Sequence, residues 1–111
     1  MRSSPVNKYR AKKTVIDGIT FDSKKEAARY CQLKILERAG QITGLVWDKK
    51  AMHYPLAVNG LKIGVYTPDF EYVDVLNGQK VTEDCKGMKT RDYVLRKKLM
   101  KAIHGIEILE T

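Results

Sequence analysis

The residues with the clearest potential for chemistry are acidic side chains and a lysine between Asp69 and Lys86. They fall in two runs, 66–75 and 79–86, which are rich in Val, Tyr, Phe and Thr and are therefore typical of β-strands. The dipeptide Asn77-Gly78 lies between the runs and favours a type I′ turn, which requires positive φ at both central residues. The sequence thus predicts a β-hairpin that carries these side chains.

A two-residue turn also predicts which side chains of the hairpin are neighbours. With Leu76 facing Gln79, Glu71 lies opposite Asp84 and Asp69 lies opposite Lys86. Successive side chains of a strand point to opposite faces. One face is therefore expected to carry Asp69, Glu71, Asp84 and Lys86, and the other to carry Phe70, Tyr72 and Cys85.

Carboxylates placed side by side on one face need an explanation. Like charges directly opposite each other destabilise a strand pair by a few tenths to about 1 kcal/mol. One interpretation is a solvated sheet face on which Lys86 and water weaken the repulsion. The other is a site for a divalent cation, since Mg²⁺ is bound by one or two carboxylates together with water and substrate phosphates.

The composition indicates one basic domain. The 111 residues are enough for one core and too few for two, so we expect a single domain over residues 1–111. Lys and Arg number 21 against 13 Asp and Glu, a net charge of +8, which is typical of nucleic-acid binders. A merely soluble basic protein is the alternative.

Other features of the sequence exclude several classes of protein. Cys31 and Cys85 lack the spacing of zinc ligands. No apolar run approaches the length of a membrane span, and the polar N-terminus does not have the pattern of a signal peptide. A cytoplasmic location is therefore expected.

Two basic segments are candidates for contact with a nucleic-acid backbone. The first is the N-terminal arm, residues 1–13, which contains no acidic residue; its candidate residues are Lys8, Arg10, Lys12 and Lys13. The second is a helix predicted over residues 90–104; its candidate residues are Arg91, Arg96, Lys97 and Lys98. For both segments an ordinary solvated surface is the alternative, and charge alone leaves the choice open.

A first helix is predicted from Ser23 to the stop residue Gly40. Its apolar residues at spacings of three and four are expected to face the core; they are Ala27, Ala28, Cys31, Ile35, Leu36 and Ala39. Ser23 and Glu26 have the pattern of a capping box, in which the glutamate side chain returns to the backbone N–H of the N-cap. This structural role would by itself account for Glu26.

The remaining elements complete the prediction of an α/β fold. Asp17-Gly18 predicts a β-hairpin before the first helix. Strands between residues 45 and 65, turning at Asn59-Gly60, are expected to extend the sheet that carries the acidic residues. A last strand over 106–109 follows the basic helix. The fold class is therefore a mixed, mostly antiparallel sheet flanked by two helices.

The acidic hairpin resembles the active-site hairpin of the PD-(D/E)XK nucleases, the restriction-endonuclease-like superfamily. Pro68-Asp69 matches the first half of that motif and Asp84-Cys85-Lys86 matches the second. More specifically, the chain is similar to a small family of phage-encoded proteins related to Holliday junction resolvases. The matching segments are the N-K-Y run at 7–9, the pattern D-G-x-x-F-D-S-x-x-E-A at 17–27, and an acidic-Asp-x-Lys-Gly run at 83–87.

The resemblance implies a fold, an activity and a set of site residues. The fold is a restriction-endonuclease-like core of order αβββαβ, and the activity is metal-dependent hydrolysis of phosphodiester bonds in DNA, with Holliday (four-way) junctions as the expected substrate. Asp69, Asp84 and Glu26 would hold Mg²⁺ or Mn²⁺, and Lys86 would complete the catalytic set. A homodimer is expected because symmetrical cutting of two strands requires two sites. The protein would act in the cytoplasm of a bacterial or phage-infected cell.

The sequence leaves two other functions possible and does not decide the roles of Glu71 and Glu83. The chain could be a nuclease of the same fold that acts on linear, nicked or flapped DNA, or a non-catalytic basic DNA-binding module with a structural acidic patch. Glu71 is expected on the face of the site and Glu83 on the opposite face, although a β-bulge would exchange them.

Overall fold

The computed structural model describes residues 13–85 and 89–111, beginning with a β-hairpin. Strand β1 (Thr14–Ile16) pairs with β2 (Ile19–Phe21), and Ile16 faces Ile19 across the turn. Asp17 and Gly18 have φ values of 53° and 76°, as a type I′ turn requires. The prediction of a hairpin before the first helix is confirmed.

Helix α1 spans Lys24–Arg38. It begins at Ser23, whose Oγ accepts a hydrogen bond of 3.0 Å from the Glu26 backbone N–H, and Gly40 follows its end with a φ of 76°. The buried residues of the helix are Glu26, Ala27, Tyr30 and Leu33. The predicted apolar stripe is therefore partly wrong: Cys31 and Leu36 are half-buried against the core, whereas Ala28, Ile35 and Ala39 are exposed.

The physical reason for this shift is the aromatic content of the core. The Tyr30 ring packs against Phe21, with 4.9 Å between ring centroids, and both belong to a core that includes Phe70 and Tyr72. Burying these large rings turns the helix so that Ile35 is left 61% exposed. The spacing of apolar residues alone does not take into account that Tyr30 is larger than the aliphatic residues of the predicted stripe.

Four strands form the main sheet, in the spatial order β3-β6-β7-β8. Their bounds are β3 Ile42–Val46, β6 Phe70–Asp74, β7 Lys80–Asp84 and β8 Ile108–Glu110. β3, β6 and β7 pair antiparallel, whereas β8 lies parallel to β7. The protein therefore has the mixed α/β architecture, with a mostly antiparallel sheet and two helices, that the sequence predicts.

The strands β4 (Tyr54–Val58) and β5 (Leu61–Tyr66) form a separate two-stranded sheet. The prediction that they extend the main sheet is wrong, although their turn at Asn59-Gly60 has the expected positive φ values of 51° and 79°. Leu56 and Tyr66 are buried in a second apolar cluster with side chains of the second helix. Packing against that helix takes the place of pairing with the main sheet.

The second helix, α2, spans Arg91–Leu99 and continues as a π-helical turn over Met100–His104. Thr90 Oγ1 caps its start with a hydrogen bond of 3.1 Å from the Tyr93 N–H, and Gly105 ends it with a φ of 69°. The predicted bounds are confirmed. No helix in the described part of the chain is long and apolar enough to cross a membrane.

The β6–β7 hairpin differs from the sequence prediction at its turn. Residues 75–78 form a four-residue loop, in which the Gly78 N–H donates to the Asp74 carbonyl oxygen at 2.7 Å. Asp74 Oδ1 also accepts from the Leu76 N–H at 2.9 Å, which favours the wider loop. Glu71 therefore lies opposite Thr82 and not opposite Asp84. The register is shifted by two residues, so the side chains of this hairpin that the structure describes keep their predicted faces.

Candidate active site

Asp69 and Asp84 meet where β6 begins and β7 ends. Asp69 lies one residue before β6, and its backbone N–H donates to the Glu83 carbonyl oxygen at 3.0 Å. Its Oδ2 accepts a hydrogen bond of 2.8 Å from the Cys85 N–H. Residues Asp69 and Asp84 are only 8% and 2% exposed, and their carboxyl groups are within hydrogen-bonding reach of each other. The hairpin therefore brings together the two aspartates that the motif singled out.

Asp69 is held in its ionised form despite its burial. Burial opposes ionisation, but the hydrogen bond between the Asp69 and Asp84 side chains and the hydrogen bond from the Cys85 N–H outweigh it, with the charge of Lys49 acting in the same direction. The pKa of Asp69 is therefore lower than that of an ordinary aspartate. Asp69 offers a charged, oriented oxygen to any cation at this place.

Glu26 joins this pair from the first turn of α1. Ser23 caps the Glu26 N–H, as the capping box predicts. The Glu26 carboxylate, however, is directed toward Asp69 and Lys49. Burial, and then the negative charge of Asp69, raise the pKa of Glu26 to about 7. The structure thus brings Glu26, Asp69 and Asp84 together as one cluster.

Lys49 supplies a positive charge that no pattern in the sequence predicts at this site. It lies in a 3₁₀ turn, Lys49–Ala51, and its Nζ is 3.1 Å from Asp69 Oδ1 and 3.4 Å from Glu26 Oε2. These two carboxylates hold the pKa of Lys49 above its ordinary value although burial acts in the opposite direction. In the sequence it is one of two adjacent lysines, and no spacing distinguishes it from Lys50.

Tyr66 fixes the second aspartate. The Tyr66 hydroxyl, at the end of β5, donates a hydrogen bond to Asp84 Oδ2. Burial, together with this contact, raises the pKa of Tyr66, so the phenol remains a donor at all ordinary pH values. The separate β4–β5 sheet thereby supports the site, a role that no pattern in the sequence indicates.

The other two acidic residues of the hairpin have structural partners. Glu71 lies on the predicted face, but it accepts hydrogen bonds from the hydroxyl groups of Tyr54 and Thr82 and pairs with Lys80 at 3.3 Å. Glu83 lies on the opposite face, as the strand period predicts, where Arg29 binds it with two hydrogen bonds of 2.7 and 2.9 Å. Both carboxylates are thus engaged away from the aspartate pair.

The donor chemistry of the cluster fits a hard divalent cation. Within residues 13–85 and 89–111, no group of three His, Cys, Asp or Glu side chains is arranged to hold a metal ion. Mg²⁺, however, is bound by one or two carboxylates and completes its shell with water and substrate phosphates. Asp69 and Asp84 supply two carboxylates of this kind, and Glu26 lies next to them.

The predicted DNA-contacting residues differ in their exposure to solvent and in their contacts within the protein. Lys13, Arg91 and Lys98 are exposed, and Lys13 lies 3.6 Å from the Asp22 carboxylate. Arg96 is tied to Asp92 at 2.9 Å and to the Val65 carbonyl oxygen, and Lys97 to Glu110 at 3.1 Å. The predicted residues outside the described part of the chain are Lys8, Arg10, Lys12 and Lys86.

Glu110 connects β8 with the start of α2 through side-chain contacts. These contacts should make this part of the fold sensitive to acid. Its carboxylate accepts a hydrogen bond of 2.7 Å from the Tyr93 hydroxyl and pairs with Lys89 at 2.8 Å and Lys97 at 3.1 Å. These contacts, Lys89 first, lower the pKa of Glu110 from 4.5 to about 2. The stabilisation is thus complete above pH 4.5 and is lost as the pH falls from there toward about 2.

We therefore expect Glu110→Gln to lower the melting temperature at neutral pH and to flatten its decline between pH 5 and pH 2, roughly the span between the two pKa values. Melting curves across this pH range test the expectation. Glu107→Gln is the control, since Glu107 is highly exposed and pairs only with Lys101 among the contacts described. An acid profile of Glu110→Gln that parallels the wild type would contradict it.

The comparisons with known proteins identify a family. Residues 6–106 match the family described as "Protein of unknown function (DUF1064)". No curated protein and no solved structure matches the chain. The family match includes Glu26, Asp69 and Asp84 and spans most of the 111 residues. The chain therefore belongs to the DUF1064 family.

Proposed function

We propose that this protein is a metal-dependent endonuclease that hydrolyses phosphodiester bonds in branched DNA and acts as a homodimer. The observation that carries the proposal is the buried cluster of Asp69 and Asp84 at adjoining strand ends, with Glu26 added from α1. Its members are the residues that the PD-(D/E)XK resemblance assigns to the metal site. They come from three separate elements of the chain.

The energetics of the cluster favour a functional role over a structural one. Buried carboxylates are costly unless they are paired, and here the buried Asp69 and Glu26 share one lysine, Lys49, among the ion pairs of the described residues. A purely structural core could bury apolar side chains in this place at lower cost. Perturbed pKa values such as that of Glu26, at about 7, concentrate at functional sites.

The order of the elements supports a restriction-endonuclease-like core. Taken along the chain, α1, β3, β6, β7, α2 and β8 follow the αβββαβ order that the resemblance implies. The β4–β5 sheet is then an insertion between the first and second strands of the core. The proposed active site lies between the second and third core strands, next to the first helix.

The side chains of the site have separable roles in the proposed reaction. Asp69 and Asp84 would hold Mg²⁺ or Mn²⁺, and Glu26 would contribute directly or through water. When bound, the ion would acidify a water molecule and polarise the scissile phosphate. The Tyr66 hydroxyl holds the Asp84 carboxylate in position. Lys86, two residues beyond Asp84, would stabilise the negative charge of the transition state.

The charge of the protein fits a DNA substrate. The net charge of +8 includes the carboxylates of the buried cluster, so the surface is more basic than the total. The exposed residues Lys13, Arg91 and Lys98, together with Lys8, Arg10 and Lys12 of the N-terminal arm, would contact phosphates. Binding of this kind weakens steeply as salt concentration rises. Two copies of the chain would present two sites to the two strands that a junction resolvase cuts.

The proposal is tested by comparing DNA substrates of matched sequence. With Mg²⁺ present, the purified protein should cut a labelled four-way junction much faster than the linear duplex, and EDTA should stop the reaction. Equal rates on both substrates would remove the preference for junctions and leave a general nuclease of this fold. Binding of DNA without Mg²⁺-dependent cleavage of any substrate would leave a basic binding module.

A further inference from the structure

Lys49 lies among three carboxylates at the edge of the proposed site. Its Nζ is 3.1 Å from Asp69 Oδ1, 3.4 Å from Glu26 Oε2 and 3.2 Å from Asp22 Oδ2. The Asp69 and Glu26 carboxylates are buried, whereas the Asp22 carboxylate is 65% exposed. The ammonium group therefore bridges the inside of the site and the solvent.

The ammonium group and a divalent cation would require the same oxygen atoms. Mg²⁺ binds carboxylate oxygens at about 2 Å, so an ion on Asp69 Oδ1 could lie no more than about 5 Å from the present position of Lys49 Nζ. Two positive charges at this separation repel each other strongly in a partly buried environment. Occupation of the site by a divalent cation would thus favour movement of Lys49.

The structure gives Lys49 a route out of the site. Its side chain is 38% exposed, and it extends from a short 3₁₀ turn that belongs to none of the three sheets of the described residues. Lysine has a flexible four-carbon stem, so its head can move while the backbone stays in place. Asp22 can keep the ammonium paired at the outer edge when its contacts with Asp69 and Glu26 are given up.

We propose that Lys49 is an internal counter-cation, which offsets the negative charge of Asp69 and Glu26 in the metal-free protein and competes with a divalent cation for these two carboxylates. This inference rests on the proposed function, because it assumes that these carboxylates bind such a cation. It assigns Lys49 a positioning role that sets the affinity of the site. A merely structural lysine would affect stability and leave cation affinity unchanged.

The inference is tested by titrating Mn²⁺ into the purified protein in a calorimeter, with no DNA present. Lys49→Met and Lys49→Gln remove the competing charge and should bind Mn²⁺ about tenfold more tightly than the wild type. Lys49→Arg keeps the charge and should stay close to the wild type. Lys50→Met is the matched control, since Lys50 is the exposed neighbour in the same turn, and its affinity should not change.

Thermal melting provides a second readout on the same proteins. Without metal, Lys49→Met should melt at a lower temperature than the wild type, because its carboxylates repel one another without a counter-cation. Added Mn²⁺ should raise its melting temperature by more than that of the wild type, as expected for tighter binding to the folded state.

The possible outcomes separate this inference from the proposed function. If the wild type binds Mn²⁺ and the two neutral variants bind it no more tightly, the role of Lys49 is overturned and the metal site stands. If neither the wild type nor any variant binds Mn²⁺, the proposed function and the role of Lys49 both fail.

Discussion

Replacing Asp69 with Asn is expected to abolish Mg²⁺-dependent DNA cleavage, with a loss on the order of a thousandfold or more in rate. The Asp69 carboxylate is buried, ionised and oriented by the Cys85 N–H, so the amide removes a charged oxygen at the centre of the site. DNA binding should be retained, because the exposed basic residues are untouched and one negative charge is removed.

The comparison requires cleavage and binding assays on the same preparation. Asp74→Asn is the matched control: it makes the same exchange at the other end of β6, where Asp74 holds the hairpin loop. This control should cut DNA at close to the wild-type rate. Cleavage by Asp69→Asn at the rate of the control would show that Asp69 has no part in the chemistry.

The largest expected effect on stability comes from Arg29→Met, which should lower the free energy of unfolding by about 3 kcal/mol or more. Glu83 is fully buried, and among the residues that the structure describes Arg29 is the cation that pairs with it, through two hydrogen bonds of 2.7 and 2.9 Å. The Tyr72 hydroxyl also donates to Glu83, at 2.7 Å, but a phenol does not neutralise its charge. The substitution would leave a buried carboxylate without its counter-charge.

Urea unfolding of three variants would measure this effect. Arg38→Met, an exposed position on the same helix, should change stability by no more than about 0.5 kcal/mol. The double variant Arg29→Met/Glu83→Gln should regain much of the loss, because the unpaired charge is then absent. A single variant Arg29→Met as stable as Arg38→Met would mean that the buried pair contributes little to the fold.

The faces of the site strands could be predicted even though their register could not. Asn-Gly at 59–60 adopts the expected two-residue turn, whereas Asn-Gly at 77–78 lies in a four-residue loop that Asp74 helps to hold. The resulting error of two residues leaves the alternation of side chains intact. Asp69 and Asp84 therefore share a face in both the prediction and the structure.

Features that depend on packing between distant segments could not be predicted. The pattern Ser23-x-x-Glu26 predicts a capping box, and only the fold shows that the Glu26 side chain lies beside Asp69. Lys49 is one of 21 basic residues, and its position depends on a turn that no local pattern places next to the hairpin. The separation of β4 and β5 from the main sheet likewise follows from the burial of Leu56 and Tyr66 against α2.

Anomalous diffraction from a crystal soaked in Mn²⁺ would show whether Asp69 and Asp84 together bind a divalent cation. We expect one Mn²⁺ peak per chain, at about 2 Å from carboxylate oxygens of both Asp69 and Asp84. We also expect Lys49 to have turned away from Asp69 in that crystal. A peak bound elsewhere, or no peak between the two aspartates, would rule out the proposed metal site.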